Sequence, residues 1–152
     1  MNEIADRDIP EGLELMEHYE KSLLDLEDCK DIPAANLVHD GVLLRVVDME
    51  AGKYVCGHEH VTSHFNIVLS GKAIVSMNGL TSKVGAGDIF LSDPGCRKGL
   101  FIVEDMRWVT VHPNPDNLED DEELHNRFVK RSEAYYNRMD KQIEGGKECL
   151  GE

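Results

Sequence analysis

Residues 52–64 read GKYVCGHEHVTSH and hold three of the seven histidines of this 152-residue chain. Imidazole is the commonest protein ligand for zinc, iron, copper and nickel. If the stretch is a β-strand, His58 and His60 are two residues apart and project from the same face. A short turn would then bring His64 back toward them. The spacing therefore predicts a metal site that β-structure assembles from one short segment.

Short apolar, β-branched runs separated by glycine turns fill the middle of the chain, from about residue 35 to 113. The Asn78-Gly79 pair is a strong hairpin signal. No segment between the runs is long enough for the crossover helices that a parallel sheet needs. The pattern therefore predicts a mostly β protein with an antiparallel sandwich or small barrel.

Helical patterns flank this region on both sides. Apolar residues recur at helical intervals over about 11–27, and again over about 118–142. We therefore expect one domain over 1–152, with an N-terminal helix, a β barrel and a C-terminal helix.

Composition narrows the class of protein. The formal net charge is −14, which opposes binding to nucleic acid or to an anionic membrane. No run approaches the roughly 20 apolar residues of a membrane span, and residues 1–21 lack the pattern of a secretory signal. Without an export signal, we expect a cytoplasmic protein that binds neither nucleic acid nor membranes.

The histidine segment resembles the first sequence motif of the cupin superfamily. That motif is a glycine, two histidines two residues apart, a glutamate four residues later and a closing glycine. Gly52, His58, His60 and Gly71 match it in spacing, but His64 replaces the glutamate. The resemblance implies a double-stranded β-helix barrel that carries a metal site inside.

Residues 87–95, GDIFLSDPG, resemble the second cupin motif, but the histidine expected a few residues later is missing and residues 96–99, CRKG, stand there. In a cupin barrel, the final strand runs beside the strand that begins at the motif's glutamate position. This arrangement would bring His112 toward His64. The resemblance thus implies a metal site made of His58, His60, His64 and His112.

The stretch 56–114 also resembles small cupin-like proteins carried by tailed bacteriophages. This likeness favours His60, His64 and His112 over His58, and implies the host cytoplasm if the gene belongs to a phage. The matching residues are Gly57, His60, Thr62, His64, Asn66, Pro94, Gly95 and 108–112.

Further residues are candidates for the substrate or for support of the metal ligands. Asn66 is a polar amide among apolar neighbours, so it needs a partner such as a ligating histidine or a substrate. Tyr54 shares the histidine face and lines the pocket or simply packs in the barrel. Thr110 shares the face of His112.

Two basic residues, Arg97 and Lys98, follow the second motif. They could hold a carboxylate or phosphate group at the barrel mouth, or be part of a solvated turn.

The chemistry that follows is open at several points. All-imidazole ligation suits a divalent transition metal such as iron, zinc or nickel, and the alternative is a polar pocket that lost its metal. Three functions remain: a small metalloenzyme acting on a small polar molecule as a dioxygenase, isomerase, lyase or hydrolase; a protein that binds a small ligand; and a phage accessory protein that binds a host partner. Cupins frequently dimerise, and an amphipathic terminal helix is a candidate homodimer interface.

Overall fold

The computed structural model describes residues 13–26 and 31–144, with side chains over 19–26 and 31–138. Three helices and nine strands are present in this part of the chain. In order they are α1 (Leu13–Leu24), β1 (Ala34–His39), β2 (Val42–Met49), β3 (Tyr54–Cys56), β4 (Glu59–His60), β5 (His64–Met77), β6 (Leu80–Gly85), β7 (Ile89–Ser92), β8 (Lys98–Pro113), α2 (Asp121–Phe128), β9 (Val129–Lys130) and α3 (Glu133–Glu144).

The strands form an antiparallel β structure, as predicted. Seven strands share one sheet, in which β1, β2, β8, β5 and β6 follow one another, while β3 pairs with β8 and β7 pairs with β5. The predicted hairpin is also confirmed, because Asn78 and Gly79 connect β5 to β6 with φ angles of 52° and 74°. The long strands β5 and β8 thus run side by side through the centre of the fold.

Gly71 lies where the ladder between β5 and β8 shifts register. Its φ is +86°, and a Cβ atom there would lie 2.3 Å from the carbonyl oxygen of Asp105. Only glycine fits this close approach of two backbones. The sequence predicted separate strands on the two sides of Gly71, but β5 continues through it with an irregularity.

Two apolar clusters fill the interior. The larger one includes Val68, Ile102 and Trp108, between the central strands. The smaller one joins Leu43 of β2 to Leu124 and Phe128 of α2. Helix α2 therefore closes one end of the barrel.

The region after β8 differs from the single helix predicted over 118–142. Two helices, α2 and α3, are separated by the short strand β9, in which Val129 pairs with His60. Asp120 caps α2 by accepting a hydrogen bond from the Glu123 amide at 3.0 Å. The extended, β-branched Val129 ends this helix and pairs with β4 instead.

The N-terminal helix was predicted over 11–27, and α1 accounts for its central part. Residues 11, 12 and 27 lie outside the described residues. Among the described helices, none combines the length and apolar character that crossing a membrane requires.

Candidate metal centre

Three histidines meet at the end of the barrel that α2 closes. One ring nitrogen from each of His60, His64 and His112 lies within 4.8 Å of the others. Their ring centroids are 4.2 Å apart for His60 and His64, 5.5 Å for His60 and His112, and 4.7 Å for His64 and His112. In the part of the chain that the structure describes, this is the one group of such donors able to hold a metal ion.

Strand register explains why residues so distant in sequence meet. Phe65 of β5 pairs with Val111 of β8, so the preceding His64 and the following His112 lie beside each other on the opposite, inner face. The strand arrangement implied by the cupin resemblance predicted this approach. His60 comes from β4, which the main-chain bond from its amide to the Cys96 carbonyl (3.0 Å) and its pairing with Val129 hold over the inner face.

His58, the other predicted ligand, lies apart from this group. Its ring packs edge-on against Tyr135 of α3, with the centroids 4.9 Å apart. The sequence argument assumed one strand through both histidines, but the chain is not in a strand at Gly57 and His58. The two-residue alternation is therefore broken, and the two imidazoles point to different places.

Burial keeps the three clustered imidazoles neutral. It lowers the pKa of His60 to about 2, of His64 to about 4 and of His112 to about 3. Mutual repulsion adds to this effect for His60 and His112, and Lys98 adds to it for all three. Neutral imidazole is the form that binds metal ions.

The surroundings of His64 fix which of its nitrogens is available. Its Nδ1 lies 3.4 Å from the Thr62 carbonyl oxygen, to which an N–H can donate. Its Nε2 lies 3.2 Å from the Lys98 Nζ and accepts a hydrogen bond from it. The Nε2 lone pair therefore points into the cluster, and Lys98 is its partner there.

The donor set fits a transition metal, provided that a metal replaces Lys98 as the partner of His64 Nε2. The Nδ1 atoms of His60 and His112 are buried, and neither has a hydrogen-bond partner among the described residues. A buried nitrogen without a partner is costly, and coordination to a metal would satisfy both atoms. The Nε2 of His112 lies 3.0 Å from the Thr110 hydroxyl, which supports the orientation of that ring.

Asn66 satisfies its amide without touching a histidine. It donates to the Ser92 hydroxyl at 2.8 Å and accepts from the Trp108 indole N–H at 3.1 Å. This buried network lies on the inner face, and its member Ser92 is the register partner of His64. Asn66 therefore links β5, β7 and β8 beside His64.

Arg97 and Tyr54 lie away from the histidine group. The buried guanidinium of Arg97 binds the Glu20 carboxylate of α1 at 2.5 Å and donates to the Gly57 carbonyl at 2.7 Å. Glu20 also accepts a hydrogen bond from Ser132. Tyr54 is 60% exposed and packs on Phe101. Arg97 thus joins the helices to the barrel, whereas its neighbour Lys98 enters the site.

Sequence reasoning missed Arg45 on the same inner face. It pairs in register with Thr110, and its charge lowers the pKa of both His60 and His112. Its own charge is partly balanced by Asp121 at 3.8 Å. An arginine within the apolar run VLLRVVDM, two residues after the buried Leu43, was the available signal.

Comparison with known proteins shows the fold. No family model and no curated protein matches the sequence. Among solved structures, the DMSP lyase DddQ from Ruegeria pomeroyi DSS-3 is 20% identical with a TM-score of 0.50, over 58% of this chain and 49% of that chain. An RmlC-like cupin with a double-stranded β-helix from Methanocaldococcus jannaschii is 12% identical with a TM-score of 0.48, over 60% and 88%.

A cupin superfamily protein from Desulfitobacterium hafniense DCB-2 is 11% identical with a TM-score of 0.46, over 58% of this chain and 83% of that chain. At these identities the likeness concerns the fold alone. The chain has an antiparallel, mostly β fold with flanking helices, and it is similar to cupins with a double-stranded β-helix.

Proposed function

We propose that this cupin-fold protein is a small metalloenzyme that binds a divalent transition metal through His60, His64 and His112 and acts on a small polar molecule. The convergence of three neutral imidazoles, two of them buried and that of His60 half-buried, carries this proposal. A bound metal would supply Lewis-acid activation of water or of a substrate oxygen. Iron, zinc and nickel all suit the ligand set.

The chain's own residues have separate tasks in this proposal. Thr62 and Thr110 orient the ligating imidazoles through hydrogen bonds. The buried Asn66 holds β5, β7 and β8 together beside the site. Helix α2, with Phe128 5.4 Å from the ring of His112, excludes water from that side.

Metal analysis of protein purified without added metal tests the proposal. The wild-type protein should hold close to one equivalent of iron, zinc or nickel, and His60→Ala and His112→Ala should each lose most of it. His58→Ala is the matched control, because its ring lies outside the group and the variant should keep the metal. A wild-type protein that stays metal-free and gains no thermal stability from added metal would overturn the proposal.

A second candidate is a non-catalytic protein that binds a small ligand. The observation in its favour is that, among the described residues, no carboxylate joins the histidine group to act as a general base. Small molecules that co-purify with the protein, identified by mass spectrometry and released unchanged, would support binding over catalysis.

We also propose a homodimer, formed through the outer face of the barrel rather than through a terminal helix. Part of the outer face consists of two in-register rows of apolar residues that cross five strands, next to a polar row with Asp48, Arg107 and Ser70. Ile89 is 67% exposed and Phe65 is 54% exposed. Large exposed apolar patches on a protein surface mark interaction sites. The rows are Leu37, Leu44, Val111, Phe65, Leu91 and Ala35, Val46, Val109, Ile67, Ile89.

Two such faces can pack against each other, because apolar sheet faces stack with interdigitated side chains about 10 Å apart. Sedimentation equilibrium should show a dimer for the wild type and a monomer for Ile89→Lys. Leu80→Lys is the control, because this exposed residue lies on β6, outside the two rows. A monomeric wild-type protein would overturn the homodimer. If the monomeric protein instead bound a host protein through this face, the result would support a phage accessory role in the host cytoplasm.

A further inference from the structure

Lys98 is a buried lysine inside the proposed metal site. It is 7% exposed, and its Nζ lies 3.2 Å from His64 Nε2. The sequence motif offers no reason for a lysine there, and Arg97 beside it is fully engaged with Glu20. Lys98 therefore differs from its neighbour in having no structural ion pair.

No carboxylate balances this charge among the described residues. The ion pairs found there do not include Lys98, and the group of possible metal ligands contains no acid. Arg45, the other cation of the inner face, has Asp121 as a partner. Burial lowers the pKa of Lys98, and the neighbouring Cys96 acts in the opposite direction. An anionic ligand would stabilise the ammonium form, which no carboxylate among the described residues balances.

A metal would increase this need. Three neutral imidazoles leave the full charge of a divalent ion uncompensated, because His64 occupies the place of the motif's carboxylate. When His64 Nε2 coordinates a metal, it no longer accepts the hydrogen bond from Lys98. The Lys98 ammonium would then be available as a donor, and its Nζ lies 3.2 Å from His64 Nε2.

We propose that Lys98 selects ligands with an anionic oxygen, of the carboxylate or phosphate type, by donating hydrogen bonds to that oxygen beside the metal. The proposal rests on the proposed metal centre and names the class of molecule that the centre takes. No covalent step is involved. Neutral alcohols and amides of the same size should bind more weakly, because they leave the charge of Lys98 unpaired.

Cobalt(II) loading separates metal binding from anion binding, because its visible spectrum responds to both. Acetate and inorganic phosphate are titrated into the cobalt protein, and acetamide serves as the neutral analogue of acetate. Lys98→Met keeps the length of the side chain but removes the charge. Lys53→Met, at an exposed position, is the matched control.

We expect Lys98→Met to bind cobalt at least as well as the wild type, because it removes a positive charge and a competitor for His64. We expect its affinity for acetate or phosphate to fall about ten- to a hundred-fold, the usual weight of a charge-assisted hydrogen bond. Acetamide binding should be unchanged, and Lys53→Met should behave as the wild type. Tighter binding of acetate indicates a carboxylate ligand, and tighter binding of inorganic phosphate indicates a phosphate ligand.

Unchanged anion affinity in a cobalt-loaded Lys98→Met protein would overturn the role of Lys98 while leaving the metal centre intact. A wild-type protein without a cobalt spectrum would instead refute the metal centre. In that case, acetate is titrated into the metal-free protein and the NMR signals of the His64 imidazole are recorded. This experiment tests anion binding by Lys98 without a metal. A shift that disappears in Lys98→Met supports the anion site, and no shift overturns it. If Lys98→Met does not fold, Lys98→Gln replaces it.

Discussion

Acid should destabilise the metal-free protein well above the pH at which carboxylates titrate. Burial holds the pKa of His60, His64 and His112 at about 2, 4 and 3 in the folded protein, whereas an imidazole in the unfolded chain titrates near 6.5. Because the folded pKa values are depressed, the unfolded state takes up protons first as the pH falls. Stability is therefore complete above about pH 6.5 and is lost as the pH falls toward the folded values.

The expected size follows from this displacement. Each imidazole that stays neutral in the fold but is protonated when unfolded costs about 1.4 kcal/mol per pH unit below 6.5. At pH 5 that is about 2 kcal/mol for one histidine and about 6 kcal/mol for all three. This is a large part of the roughly 5–15 kcal/mol by which a domain is stable. His58, whose pKa burial lowers to about 4, acts in the same direction.

Urea denaturation of EDTA-treated protein at several pH values between 7.5 and 5, followed by circular dichroism, measures this loss. His112→Gln should recover about 2 kcal/mol of the loss at pH 5, because one proton fewer is taken up on unfolding. His39→Gln, on the exposed part of β1, is the control for removing a histidine and should keep the wild-type loss. A free energy of unfolding that is the same at pH 7.5 and pH 5 would refute the reasoning.

Three structural predictions follow from the packing around the site, each measured by the free energy of unfolding. Gly71→Ala should lower the free energy of unfolding by more than the roughly 1 kcal/mol expected for Gly79→Ala. Both glycines have a positive φ, but only Gly71 lacks space for a Cβ atom. Equal losses in the two variants would contradict this. Asn66→Leu should cost about 1–3 kcal/mol for each buried partner it abandons, and a neutral effect would mean that the network is unimportant. Arg97→Met should cost about 3–5 kcal/mol by leaving a buried carboxylate unpaired, against about 0–1 kcal/mol for the exposed Arg107→Met; a smaller loss for the buried pair would disprove its structural role.

The sequence by itself determined the class of fold and most of the candidate site. Alternation of apolar residues and glycine turns sets strand position and face, because side chains alternate along any strand. The strand arrangement implied by the cupin resemblance, combined with this alternation, placed His64 and His112 on one inner face. These are local rules, and they hold wherever the chain is actually extended.

The tertiary structure alone decided the rest, because it depends on contacts between distant segments. The break of the strand before Glu59 turns His58 toward Tyr135, and this break is stabilised by main-chain bonds to the region of Cys96 and Lys98. The predicted C-terminal helix is split, because Val129 gains a strand partner at His60.

The two adjacent basic residues illustrate the same limit. In the sequence, Arg97 and Lys98 are equivalent candidates for binding an anion. In the fold, Arg97 meets Glu20, which is 77 residues away, while Lys98 meets His64. Successive residues of an extended chain point in opposite directions, and only the packing of α1 against the barrel decides which of them is neutralised. The charge inside the proposed metal site is therefore a property of the tertiary structure.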